Sequence, residues 1–164
     1  METKPRGRFF EEFQEGEEFR TASKTVTEAD LVIYTGLSGD YNPLHVDEEY
    51  ARTTVYKTRI AQGFLGLALA SGLYSRLGIF DDTIVGFVGL ENWRFLLALY
   101  IGDTITVRLT VAEKRVTSKP ERGIVKFDVE ILNQRQERLQ QGKIVMMMLR
   151  RPAPTLVGAR EGER

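Results

Sequence analysis

The chain of 164 residues contains no cysteine and only one histidine, His45. The absence of cysteine excludes disulfides, thiolate catalysis and cysteine-ligated metal, and a single imidazole excludes a histidine-rich metal site. Lysine plus arginine and aspartate plus glutamate both total 23, so the formal net charge is zero. No dense basic run stands out, so nothing in the composition indicates a nucleic-acid partner.

Long apolar runs are also missing from the sequence. The longest one, residues 64–73, is rich in small side chains and is too short to span a bilayer. The N-terminal residues are polar and have no apolar signal core. We therefore expect a cytosolic protein with no membrane partner. The length suits one domain with a sizeable core, which we expect over about 10–150, with a flexible tail over 151–164.

The first half of the chain has a helical pattern. Residues 27–30 read as a variant of the capping box and predict a helix that stops at Gly39. Asp47 is a second N-cap, before a short helix that reaches about Thr53. Residues 64–77 are apolar nearly all round until the last turn. A helix with that pattern must be buried on most sides, so we expect it at the centre of the fold.

The second half of the chain switches to period two. Apolar side chains occupy one face of 104–111 and of 124–131, and polar side chains occupy the other, which is typical of half-buried antiparallel strands. Within 140–150 the run 144–149 is apolar on both faces, as in a central strand. The remaining strand candidates and connections are 19–26, 84–90, 93–97, the hairpin loop 118–123 and the turn 133–137.

One long apolar helix followed by antiparallel strands predicts an α+β protein in which the sheet curls around the helix. This is the hot-dog arrangement. A single curled sheet leaves free edges and a half-covered helix, and pairing with a second copy of the chain would close both. We therefore expect a homodimer or a higher homo-oligomer.

The segment from Ser38 to His45 carries the strongest functional signal. Proline fixes its own φ and holds the preceding residue extended, so the Asn42-Pro43 pair turns the chain and lets Asp40 and His45 converge. A carboxylate and an imidazole are the groups most used to move protons near neutral pH. The spacing alone also fits a simple turn with an incidental histidine.

The pattern Tyr34-x-x-x-Ser-Gly-Asp-Tyr-Asn-Pro-Leu-His45 resembles the signature of the MaoC-like dehydratases, which include the (R)-specific enoyl-CoA hydratases. The likeness covers roughly residues 10–150. Further matching positions are Asp47, Tyr50-Ala51, Gly16 to Phe19, Thr25 to Thr27, Ile60 to Phe64 and Gly102 to Thr104. The resemblance implies a hot-dog fold and the interconversion of trans-2-enoyl-CoA and (3R)-hydroxyacyl-CoA. Coenzyme A is then part of the substrate, and no metal or redox cofactor is needed.

The resemblance also implies roles for individual residues. Asp40 and His45 would share the activation of one water, and the sequence does not say which is acid and which is base. Gly63 would offer a backbone N–H to the thioester oxygen from the start of the central helix. Asn42 would be a local hydrogen bonder. Many family members have histidine before this glycine, whereas Gln62 stands here and is a substrate-binding candidate that would alter activity or substrate choice.

Two alternatives stay open. A hot-dog thioesterase would hydrolyse the thioester on the same fold, and a non-catalytic subunit would only bind an acyl thioester. The Asp40/His45 spacing favours a hydratase, because a binder has no use for an acid/base couple. Candidate contacts for the phosphates of coenzyme A are Arg94, Lys114, Arg115, Lys119 and Arg122.

Overall fold

The computed structural model describes residues 5–152. Most of the tail expected over 151–164 therefore lies outside the described residues. The helices are α1 (Glu28–Ser38), α2 (Pro43–Val46), α3 (Glu48–Thr53) and α4 (Gly63–Ser75), preceded by a 3₁₀ turn at Phe10–Glu12. The strands are β1 (Glu18–Arg20), β2 (Lys24–Thr25), β3 (Ile84–Phe95), β4 (Thr104–Val116), β5 (Arg122–Leu132) and β6 (Arg138–Leu149).

The strands form an antiparallel sheet in the order β1-β4-β5-β6-β3, and β2 pairs with the start of β4. Strand β6 lies between β5 and β3. That central position explains why its second half is apolar on both faces, as the sequence predicted: Val145, Met146 and Met148 are all buried. Strand β3 is at the opposite end of the sheet from β1 and forms a long edge.

Helix α4 packs against the sheet and completes the hot-dog fold. Its residues Leu65, Ala70 and Leu73 belong to one apolar core together with inward-facing strand residues such as Leu109 and Phe127. The predicted α+β architecture, a sheet around a central apolar helix, is confirmed. No helix among residues 5–152 is both long enough and apolar enough to cross a membrane.

Helix α4 differs from the prediction at its end, and one of its sides is exposed. It stops at Ser75 because the following N–H groups bond carbonyls three residues back, from Leu77 to Tyr74 and from Gly78 to Ser75. Phe64 is 63% exposed, and Ala68, Gly72 and Ser75 continue an exposed stripe along the helix. One apolar side of α4 therefore remains uncovered within one chain, which is the half-covered helix expected of a single curled sheet.

The caps of α1 are those that the sequence predicted. Thr27 accepts a hydrogen bond from the Asp30 N–H, and the Asp30 carboxylate accepts one from the Thr27 N–H at 2.8 Å. Burial raises the pKa of Asp30, but the Thr27 hydrogen bonds and the ion pair with Lys24 outweigh it and hold that pKa below its usual range. Gly39 ends the helix in a left-handed conformation with φ 73°, which a glycine adopts without steric cost.

Three strand boundaries differ from the sequence prediction. The single strand expected over 19–26 is split into β1 and β2. The two candidates at 84–90 and 93–97 form one strand, β3, with register shifts against β6 and a positive φ of 52° at Asn92. Such irregularities are β-bulges, and they break the alternation that the sequence pattern relies on. Strand β5 begins at Arg122, inside the expected hairpin loop.

Two glycines in and beside α1 are predicted to respond oppositely to alanine. A β-carbon at Gly36 or at Gly39 meets no atom within 4 Å, but only Gly39 has a positive φ. Gly36→Ala is expected to raise the free energy of unfolding by about 0.5–1 kcal/mol through helix propensity. Gly39→Ala is expected to lower it by roughly 1–2 kcal/mol through left-handed strain. Urea denaturation checks both, and changes of the same sign would contradict the assigned helix end.

Candidate active site

His45 is placed by a short helix that its own sequence starts. Asn42 is the N-cap of α2 and accepts a hydrogen bond from the Leu44 N–H at 3.0 Å, and Pro43 occupies the first turn. The imidazole is only 12% exposed, and its Nδ1 lies 2.8 Å from the carbonyl oxygen of Ile60. A carbonyl oxygen can only accept, so Nδ1 carries the proton in the neutral ring and Nε2 keeps its lone pair.

Asp40 faces the free side of that ring. Its Oδ2 lies 3.7 Å from His45 Nε2, and its side chain is 46% exposed. Backbone N–H groups hold the segment in place, from Asn42 to Asp40 Oδ1 at 3.3 Å and from Asp40 to the Ser38 hydroxyl at 3.2 Å. A gap of this size is too long for a direct hydrogen bond but allows one water oxygen to contact both groups. The convergence expected from the sequence is present.

Asn42 shapes this arrangement from outside the main cavity. Its side chain caps α2, its N–H binds Asp40, and it is absent from the cavity lining. Both contacts are local. The cap fixes the start of the short helix that carries His45, and the backbone N–H holds the Asp40 carboxylate. The expectation of a local hydrogen bonder fits this geometry.

A cavity of about 640 Å³ opens beside His45. Gly63 and the mostly apolar segment 95–99 form much of its wall, a lining suited to an acyl chain. Polar side chains also line it: Tyr56, Tyr100, Asn133, Arg135, Glu137 and Gln140. A second, smaller cavity of about 220 Å³ also reaches His45 and is lined by Leu31, Val32, Thr35, Tyr41, Val46 and Arg59.

Gly63 brings a helix N-terminus to the wall of the main cavity. It is the first residue of α4, and the first N–H groups of a helix have no partner inside the helix and carry the positive end of its dipole. A β-carbon at this position would lie 2.9 Å from the Phe95 ring. Glycine therefore lets α4 start against Phe95, with backbone donors beside the cavity that His45 lines.

Gln62 lies in the protein interior, outside the cavity lining. It is 2% exposed, and its Nε2 donates a hydrogen bond to the hydroxyl of Thr35 at 2.8 Å. Its Oε1 has no hydrogen-bond partner among residues 5–152. The substrate contact expected of Gln62 therefore finds no support in the cavity geometry. The side chain links α1 to the start of α4 instead.

An ion-pair network that the sequence did not indicate supports the histidine. The Arg59 guanidinium binds both carboxylate oxygens of Glu28, at 2.8 and 2.9 Å, and its Nε lies 3.2 Å from Glu48. The carbonyl of the next residue, Ile60, accepts the hydrogen bond from His45 Nδ1. The Ile60 N–H donates to the Leu44 carbonyl at 3.2 Å. The network thus fixes the segment that orients the ring. No sequence pattern signals it, because the three charged residues lie far apart in the chain.

The network also shifts the acidity of its members. A hydrogen bond from the backbone of Arg59 is the main cause that lowers the pKa of Glu48, and hydrogen bonding to Glu28 raises the pKa of Arg59. A lowered carboxyl pKa means that the stabilisation is complete above the ordinary range of glutamate. It is lost as the pH falls through the pKa of the folded state. The support of His45 is therefore intact at neutral pH.

The five basic residues expected at the phosphates of coenzyme A do not line the main cavity within the described chain. Lys114, for example, binds the carbonyl of Phe13 and lies over the Phe10 ring. The arginine in the lining is Arg135, whose Nε is 2.8 Å from Glu137. It lies in the turn before β6, where no sequence pattern indicates a function.

Comparison with known proteins agrees with this fold. The family model described as MaoC like domain matches residues 12–131, so the chain belongs to the family of MaoC-like domains. It is 41% identical over 104 residues to an (R)-specific enoyl-CoA hydratase of Rhodospirillum rubrum, covering 63% of this chain and 69% of that protein. It is 37% identical over 119 residues to Protein MaoC of Klebsiella aerogenes, covering 73% of this chain but only 34% of the longer relative.

A solved structure from Archaeoglobus, described as a monoamine oxidase regulatory protein, superposes with a TM-score of 0.84 at 33% identity. The superposition covers 89% of this chain and 97% of that one. The relatives are therefore named both as hydratases and as a regulatory protein. What the chain shares with these relatives is the hot-dog fold and the MaoC-like dehydratase family.

The single histidine allows a direct test of the site geometry. Because Nδ1 donates to the Ile60 carbonyl, the neutral ring is expected to carry its proton on Nδ1. Long-range ¹H–¹⁵N spectra of the untagged protein, which contains no other imidazole, report the tautomer without assignment. A neutral ring protonated on Nε2 would contradict the orientation of His45 and its proposed use of Nε2.

Proposed function

We propose that this protein is an (R)-specific hydratase that interconverts trans-2-enoyl-CoA and (3R)-hydroxyacyl-CoA. The observation that carries the proposal is the 3.7 Å gap between Asp40 Oδ2 and His45 Nε2, beside a cavity whose wall includes the start of α4. The enoyl-CoA hydratase of Rhodospirillum rubrum, 41% identical, supports this choice of substrate.

The proposed chemistry begins with a water held between the two groups. Neutral His45 presents the Nε2 lone pair and Asp40 presents a carboxylate oxygen, so both accept hydrogen bonds and the water donates to both. One of them takes a proton as the water oxygen bonds to the β-carbon of the enoyl group. The same proton then passes to the α-carbon, so H and OH add to one face of the double bond.

The negative charge in this reaction develops on the thioester oxygen. An N–H donor that already points at that oxygen stabilises the charge without reorganisation, and Gly63 supplies it at the positive end of α4. Gln62 would act from the interior by holding the peptide that precedes Gly63, and Asn42 by holding Asp40. The proposal requires no metal or redox cofactor, because water and the thioester supply every reacting atom.

The test of this proposal uses crotonyl-CoA and follows the enoyl chromophore together with free thiol. Loss of the chromophore without thiol is expected. Asp40→Asn and His45→Gln should each lower turnover by about 10²–10⁴-fold, the usual contribution of a positioned acid or base, with an unchanged circular dichroism spectrum. Asp128→Asn, which removes a carboxylate paired with Lys143 on the sheet, is the matched control.

Other outcomes of the same assay identify the alternatives. Release of thiol would indicate a thioesterase instead. A protein that binds enoyl-CoA without turnover would be an acyl-thioester-binding subunit. Near-normal turnover in either Asp40→Asn or His45→Gln would remove the acid/base pair from the mechanism.

We further propose that the working form is a homodimer. Strand β3 is the edge of the sheet, and its Phe87 and Val88 are 51% and 53% exposed. Phe64 on α4 is 63% exposed. An apolar edge strand beside an uncovered apolar helix stripe is the surface that a second copy would bury.

Sedimentation equilibrium tests this assembly. The wild type is expected at twice the 18.7 kDa chain mass. Val88→Lys should shift it toward the monomer, because a charge at a buried interface has no partner. Val116→Lys places the same charge at an equally exposed valine at the far end of β4 and should leave the mass unchanged. A wild-type mass of one chain would contradict the dimer.

A further inference from the structure

Gln140 is a buried amide in the apolar contact between β6 and α4. The residue is 2% exposed, and both ends of its side chain are occupied. Its Nε2 donates to the carbonyl of Gly63 at 2.9 Å, and its Oε1 accepts from the indole N–H of Trp93 at 3.1 Å. It also lines the main cavity together with His45. A leucine or methionine would fill the same space without needing any partner.

Two glycines make room for this link. A β-carbon at Gly66 would overlap the amide nitrogen of Gln140, and one at Gly142 would lie 2.6 Å from the Trp93 ring. The helix thus lacks a side chain where the amide crosses to the Gly63 carbonyl, and the strand lacks one where the indole lies. Both the helix and the strand therefore leave space for the hydrogen-bonded path from Trp93 through Gln140 to α4.

The link ends at Gly63, a residue with wide backbone freedom at the N-terminus of α4. Gly63 has a wider choice of φ and ψ than other residues, so its N–H keeps one direction only if the peptides before and after it are both held. The preceding peptide is held through the carbonyl of Gln62, which accepts from the Leu65 N–H at 3.0 Å. The following peptide is held by Gln140.

We propose that Gln140 is a positioning residue that fixes the first turn of α4, so that the N–H of Gly63 points at the thioester oxygen. This inference rests on the proposed function, because it concerns the donor of that reaction. Gln140 acts through Gly63. A hydrogen bond to the Gly63 carbonyl also polarises that peptide unit, which makes the N–H of Phe64 a stronger donor.

The first test compares Gln140→Met with Gln141→Met in the hydratase assay. Gln141 is the neighbouring glutamine, bonds Arg138 at 2.9 Å and does not line the main cavity. Gln140→Met is expected to lower kcat by about tenfold or more with KM within about threefold, because an oxyanion donor acts mainly in the transition state. Gln141→Met should match wild type. A kcat for Gln140→Met within threefold of wild type would overturn the proposal.

A second variant covers the case in which Gln140→Met does not fold. Gly66→Ala adds a β-carbon that must push the Gln140 amide aside, while alanine favours the helix. We expect a lowered kcat with the wild-type melting temperature retained, a combination that a purely structural role of Gln140 would not produce. Gly36→Ala is the matched control in an uncrowded helix position. Wild-type kcat in Gly66→Ala would count against the role of Gln140.

A third measurement separates this inference from the proposed function. If the wild type hydrates no enoyl-CoA, the proposed function fails, and the ¹⁵N shifts of the Gly63 and Phe64 amides still report on the link. Both are expected to change in Gln140→Met and to stay fixed in Gln141→Met. Unchanged shifts in Gln140→Met would show that the amide does not hold the α4 turn and would overturn the inference.

Discussion

The packing of α4 against the sheet determines the position of every part of the candidate site. Leu65 and Leu73 are almost fully buried, and each such side chain contributes about 1.5–3 kcal/mol through the apolar area removed from water. The segment before the helix is tied to the same body, since the Ala61 N–H bonds the Leu99 carbonyl at 2.8 Å. His45 is in turn oriented by Ile60, one residue earlier. Burial of the helix therefore fixes the imidazole indirectly.

Two buried amide side chains lie at the N-terminal end of α4. Gln62 and Gln140 are both 2% exposed, and each bonds a partner on another element. An unpaired buried amide costs free energy, and a paired one holds its neighbours in one geometry. Gln140 bonds the Gly63 carbonyl, and Gln62 ties the residue before Gly63 to α1, so the helix start is held on both sides.

The sequence predicted those features that depend on neighbours in the chain. The cap at Thr27, the stop at Gly39 and the turn that joins Asp40 to His45 all use contacts within a few residues. The Arg59 to Glu28 pair spans 31 residues and the Gln140 to Gly63 bond spans 77. No local pattern contains such pairs, since they exist only after distant parts of the chain have come together.

The apolar pattern of α4 likewise reflects a contact that lies outside its own stretch of chain. The hydrophobic pattern of a helix reflects every contact that the helix makes, including one that a second copy of the chain would supply. A single chain leaves that surface open, and the exposed stripe is the result. The bulges of β3 interrupt the period-two alternation of its sequence, because an extra residue moves the side chains that follow to the other face.

The uncovered surface and the candidate site share a boundary at Gly63. A β-carbon on Gly63 would lie 2.9 Å from the Phe95 ring. Phe64 packs edge-on against Phe95 with ring centroids 5.8 Å apart. Both rings are at least half exposed in the single chain. A second copy that covers them would press on the residue that starts α4 and limit its movement. Because Gly63 itself has no side chain to resist such movement, the proposed association would be physically coupled to the geometry of the candidate donor. Gln140 holds the same turn from within the chain, so an amide supports the candidate donor from the core side, and a second copy would add support from the open side.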